Sequence, residues 1–143
     1  MANKLSNEFL YQRDLAYFTG GTFTMALMAA GFAFDPDIHL NWSDISANEL
    51  AGGSGYTSGG QNLAGVQVTK DNANNRNDVT WTSVTWTAAG GTIGPSPGAV
   101  IRRNTGVAST STIVGFLDFL GNLSAAAGVP FVVLNPTVRT PSA

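Results

Sequence analysis

The sequence predicts a mainly β protein: an antiparallel β-sandwich, with jelly-roll topology as its candidate form, a short N-terminal helix and an extended C-terminal arm. Three observations predict it. From Gln61 onward, short alternating runs of β-branched and aromatic residues recur at intervals of roughly 10–15 residues, separated by Gly, Pro and Asn clusters, as in sandwiches and barrels. Glycine is abundant, at 17 residues of 143. And the segment "DVTWTSVTWTAAGG" (78–91) nearly repeats a strand pattern twice, out of phase.

The elements follow in order. "LSNEFLYQRDLAYF" (5–18) places Leu5, Phe9, Leu10, Leu15 and Phe18 against Glu8, Arg13 and Asp14, with Ser6 or Asn7 to cap it and Gly20-Gly21 to end it. That predicts an amphipathic helix, which either covers an open end of the domain or docks on a partner. "TFTMALMAAGF" (22–32) reads as the first core strand, with Phe23, Met25 and Leu27 on one face. Asp35-Pro36 signals a turn, and Ser43 precedes a weak helical pattern over Ile45–Leu50. "AGGSGYTSGG" (51–60), with five glycines, reads as a loop.

The β region begins with "QNLAGVQVTKDN", where a slip at Gly65 suggests a bulge. "NANNRND" reads as a polar turn. In the doubled segment, Trp81 and Trp86 stand an odd number of residues apart, so one straight strand would send them to opposite faces. The favoured solution is a strand bent at Thr82-Ser83, its first half in one sheet and its second half in another. A tight hairpin there is disfavoured because neither residue suits positive φ. An outward-facing Trp at an interface is the third option. "GPSPG" (94–98) reads as a turn, "AVIRRN" and "STIVGFLDFLG" as strands, and "VPFVVLN" (129–135) as the last one. The chain thus divides into a helix or arm (1–20), a β-sandwich domain (21–135) and an extended tail (136–143).

Composition narrows the function. Charged residues are 11% of the chain, against roughly 25% in ordinary soluble domains. A surface of Thr, Ser, Asn, Gly and Ala suits polar, low-entropy contacts with neighbouring subunits. A net charge of −2 argues against nucleic acid, since Arg102-Arg103 is the sole basic cluster. No apolar run reaches the length of a membrane span, and "MANKLSNEFL" lacks the apolar core of a secretory signal. The chain has no cysteine, which removes disulfides and thiolate chemistry.

Chemistry is sparse. The single histidine, His39, has no nucleophile or orienting acid in a recognisable frame, and no G-x-S-x-G elbow is present. Asp35 and Asp37, with Asp44 and Glu49, or Asp71 with Asn74, Asn75 and Asp78, could offer oxygen ligands. Neither cluster has the glycine that calcium loops need, so turns are the better reading. The expectation is no enzyme, no cofactor and no metal.

The order and spacing of "DPDIH", "SDISANEL", "GYTSGG", "DNANNRNDVTW" and "GFLDF", over about residues 23–121, resemble a family of small tailed-bacteriophage virion structural proteins. The resemblance implies a virion structural protein with no known activity. A capsid decoration (cement) protein is favoured, made in the host bacterial cytoplasm and carried on the outer capsid surface. Its partners would be the major capsid protein and neighbouring copies of itself, as a homo-oligomer within a larger assembly. A tail, neck or fibre component is the alternative. A glycan-binding module is another, using Trp42, Tyr56 or Trp86 as a stacking platform. Partner contacts are assigned to Leu5, Phe9, Tyr11 and Tyr17 of the helix and to Val138 and Arg139 of the tail. The warrant is the helix's amphipathicity and the extended, proline-bearing tail; a tail folded back on its own domain is the open alternative.

Overall fold

The computed structural model describes residues 4–141. Helix α1 spans Asn7–Thr19; Ser6 caps it, its Oγ accepting from the Phe9 N–H at 3.1 Å, and Gly20 follows its last turn. Leu10, Asp14 and Phe18, four residues apart, form its buried stripe. Strand β1 (Phe23–Leu27) comes next, then α2 (Trp42–Ile45) with a 3-10 turn over Ser46–Asn48. The remaining strands are β2 (Gln61–Asn62), β3 (Gln67–Asp71), β4 (Arg76–Thr80), β5 (Val84–Thr87), β6 (Ile93–Arg103), β7 (Ile113–Ala125), β8 (Pro130–Val133) and β9 (Thr137–Pro141).

The strands form three antiparallel sheets ordered β2-β1-β6-β7, β3-β4-β9 and β5-β8. The four-stranded sheet is the middle layer of a sandwich-like arrangement, because β1 is buried on both faces. Phe23, Met25 and Leu27 enter the main core with Trp81, Trp86 and residues of the two smaller sheets. Ala26 and Met28 turn the other way and join Val100, Trp42 and Ile45 in a second cluster. The segment after β1 therefore serves as a lid over the back of that sheet.

The tryptophan pair is resolved by a change of sheet. Trp81 ends the run of β4, and Trp86 lies within β5, which pairs with β8 in a different sheet. Both rings are 2% exposed in one core, so neither is an interface anchor. The bend lies at residues 81–83, where Trp81 N–H bonds Pro136 C=O and Thr82 N–H bonds Ala64 C=O.

Several expected boundaries move. Gly65 is not a bulge within one strand: it separates β2 from β3, which belong to different sheets. The polar turn is shorter than residues 72–78, because β4 already starts at Arg76. The 94–98 "turn" is the irregular first half of β6, with a cis Gly94-Pro95 peptide and register shifts against β7. The helical pattern over Ile45–Leu50 is a single α-turn followed by the 3-10 turn.

The termini change most. The tail is extended, but Thr137–Pro141 is a strand of its own domain, paired residue for residue with β4. Helix α1 is likewise part of the domain and packs on β3 and β4. Buried Asp14 joins α1 to β4 and β9: it accepts from Asn77 Nδ2 at 2.8 Å and from Thr140 Oγ1, and pairs with Arg13 at 2.8 Å. Residues 142–143 of the assigned tail lie outside the described residues.

Candidate interaction surfaces

The six residues assigned to partner contacts fall into two groups. Leu5, just before the Ser6 cap, and Phe9, in the first turn of α1, are 56% and 55% exposed. The other four are engaged within the chain. Tyr11 is half-buried beneath the Lys70 ammonium, 5.0 Å from its ring centre. Tyr17 packs on Phe18 and Phe23 with the Arg103 guanidinium 4.6 Å over its ring. Val138 is half-buried against the main core, and Arg139, though exposed, forms an ion pair with Asp78 at 3.5 Å. Val138 and Arg139 thus lie on a strand paired with β4 rather than on a free arm.

Charges fasten the helix. Lys70 donates to Glu8 Oε2 at 2.6 Å, and Gln12 donates to Glu8 Oε1 at 2.7 Å. The Gln12 bond first, then Lys70, lowers the Glu8 carboxyl below its ordinary value; the Glu8 bond raises Lys70. Both groups are exposed, so this pair orients α1 and adds little stability.

The stacking platform for a glycan is absent as assigned. Trp42, Tyr56 and Trp86 are 8%, 3% and 2% exposed. Trp42 lies under the Arg102 guanidinium, 4.0 Å from its ring centre. Burial lowers the pKa of Arg102, opposed by the charge of Glu49. Tyr56 ties the 51–60 loop to β1: its hydroxyl accepts from Leu27 N–H at 2.9 Å and donates to Glu49 Oε1 at 2.7 Å. Glu49 also accepts from Gly59 N–H at 2.6 Å.

The residues of the two oxygen-ligand clusters are engaged in local turns, a helix cap and strand ion pairs. Asp35 Oδ1 accepts from Asp37 N–H, and His39 Nδ1 accepts from Asp35 N–H, both at 2.9 Å. The His39 ring stacks on Phe32. Asp44 closes the α2 capping box, and Asp71 bonds Asn74 and Arg76. No group of three or more His, Asp or Glu side chains gathers to hold a metal among the described residues. No described helix is long and apolar enough to cross a membrane.

A second surface was not anticipated from the sequence. β7 is an edge strand, and large exposed apolar side chains flank it. Leu40 lies at its start, where its C=O accepts from Ile113 N–H at 2.9 Å, and Ile38 is exposed two residues before it. Leu120 (93% exposed) and Leu123 lie in its second half, and Leu123 shares a shallow groove with Val132 of β8. Between them, Phe32, Phe34, Phe116 and Pro97, with Asp118, line a groove of about 480 Å³. The alternation in "STIVGFLDFLG" signals a strand, but it does not say that the strand lies at an edge.

No protein-family model, curated protein or solved structure matches the chain.

Proposed function

We propose that the chain is a structural subunit of a tailed-bacteriophage virion, a capsid decoration protein that bridges neighbouring capsid subunits. The observation that carries the reading is a chain with only 11% charged residues whose long edge strand β7 carries exposed Leu120 and Leu123 and is bonded at its start to exposed Leu40. A monomer working alone in solution keeps such patches small; a subunit destined for a lattice uses them. The sequence resemblance over residues 23–121 supports the same reading.

Rigidity suits the task. Both ends of the described chain are pinned to the body, α1 through Asp14 and β9 through β4. Contacts made from a stiff body lose little entropy on binding, and repetition over an array multiplies weak individual contacts. The reading is of a binding protein rather than an enzyme: the one histidine is occupied within its own turn.

Quantitative mass spectrometry of purified particles, with heads and tails separated, tests it. Copy numbers on the scale of the major capsid protein, confined to heads, are expected. A few copies travelling with tails would replace the decoration role by a neck, tail or fibre role. Absence from particles would overturn the virion reading.

A further inference from the structure

We infer that β7 is the pairing edge for a second copy of this chain, joined antiparallel about a two-fold axis near Phe116 or Leu117. The inference goes beyond the virion reading, since it concerns what the isolated chain does.

The backbone comes first. β7 is the terminal strand of the four-stranded sheet, and β6 occupies one of its edges. The other edge is bonded at Ile113, to Leu40. From Val114 to Phe119 the outward-pointing amide and carbonyl groups meet no further backbone partner among the described residues. An exposed edge is a template for another strand, and proteins ordinarily blunt it with short length, Lys or Pro. The other edges here are short or blunted: β5 and β8 are four residues each, and β8 begins with Pro130. β2, at the opposite side of the sheet from β7, is two residues long; β3 carries Lys70, and β9 carries Arg139 and Pro141. "VGFLDF" carries one charge, Asp118, whose Oδ1 already accepts from Leu120 N–H at 2.8 Å.

The occupant follows from chemistry. An extended backbone is what satisfies a strand edge. That backbone must be apolar on both sides, because β7 presents Phe116 toward the second cluster and Leu117 and Phe119 toward the main core. Among the described edges β8 is also apolar, but it is four residues long and opens with Pro130, so β7 is the long unblunted edge of that composition. Two copies of it pair without conflict: an axis at Phe116 sets Asp118 opposite Val114, and one at Leu117 sets it opposite Phe116. The like charges never face each other, and Phe116 joins a cross-strand apolar row.

Area is sufficient. At about 3.4 Å per residue the free stretch runs about 20 Å. Leu40 at one end and Leu120 and Leu123 at the other extend it toward the roughly 800 Å² per partner of a stable interface.

The test uses the full chain. Sedimentation equilibrium up to about 100 μM is expected to give twice the monomer mass. Leu40→Lys with Leu120→Lys, both at positions exposed by more than half, is expected to weaken association at least about tenfold. Unfolding curves of this variant should match those of the parent, so that lost association is not lost folding. Hydrogen exchange reads the edge directly: outward amides of residues 114–119 are expected to gain protection as concentration rises. A chain monomeric throughout would overturn the inference, as would a dimer whose 114–119 amides exchange alike at all concentrations. A monomer found abundantly on heads would sink the dimer and leave the virion reading standing.

Discussion

Tyr56 shows how much one side chain carries. Its hydroxyl links the Glu49 carboxylate to Leu27 N–H, beside the backbone bridge between Glu49 and Met28. Replacing Tyr56 with Phe leaves Leu27 N–H without its acceptor, at a cost of about 1–3 kcal/mol, readable by urea unfolding. The phenol also sets an alkaline limit. Burial first, then the bond to Glu49 and its negative charge, raise its pKa well above the ordinary value. The folded chain therefore keeps a proton that the unfolded chain releases above about pH 10. Its contribution is whole below that pH and is lost as pH climbs further. The wild type should lose stability more steeply above about pH 10 than Tyr56→Phe does; parallel curves would remove Tyr56 from that account. Gly60 is a second single-residue dependence. Its φ is +76°, and an added Cβ would lie 1.8 Å from Met25 C=O. Gly60→Ala should cost about 3 kcal/mol or more through left-handed strain and overpacking, and a neutral result in thermal unfolding would refute this.

At the scale of elements, the tail is the clearest case. β9 contributes a strand to β4, buries Val138 against the core and brings Thr140 to Asp14. Deleting residues 137–143 should destabilise the fold itself by about 3 kcal/mol or more, from lost apolar burial and a broken buried polar cluster. Circular dichroism melts would show it, and an unchanged melting temperature would return the tail to the role of a free arm. The reason "PTVRTPSA" reads as an arm is local: two prolines and one large apolar residue offer no alternation by themselves. What makes it a strand is β4, whose pattern of buried Asn77 and Val79 needs a neighbour on each side. Helix α1 and the β1 core pattern were legible because capping residues and apolar spacing are local signals. The sheet change at 81–83 was legible too, because an odd Trp spacing cannot be met by one flat strand. "GPSPG" misled because turn chemistry and the irregular half of a strand use the same residues. Exposure of β7 was not legible at all, since edge or centre is a property of the sheet and not of the strand.

At the scale of the whole molecule, low charge has a consequence for how association responds to salt. With a net charge of −2 and only Asp118 within the free stretch, pairing along β7 gains little from Coulomb attraction and loses little to repulsion. The Debye length shrinks from about 10 Å at 0.1 M to about 3 Å at 1 M salt. Screening on that scale weakens an interface built on ion pairs, but it leaves apolar burial and backbone bonds in place. The self-association constant should therefore stay within about threefold, or tighten, when sodium chloride rises from about 0.1 to about 1 M. Sedimentation at the two concentrations measures it. A weakening of about tenfold or more would instead point to the charged side of the molecule, where Glu8, Lys70, Asp78 and Arg139 cluster around α1 and β9. The interface would then have to be sought beside Leu5 and Phe9, at the start of the helix, and the long apolar edge of β7 would need another occupant.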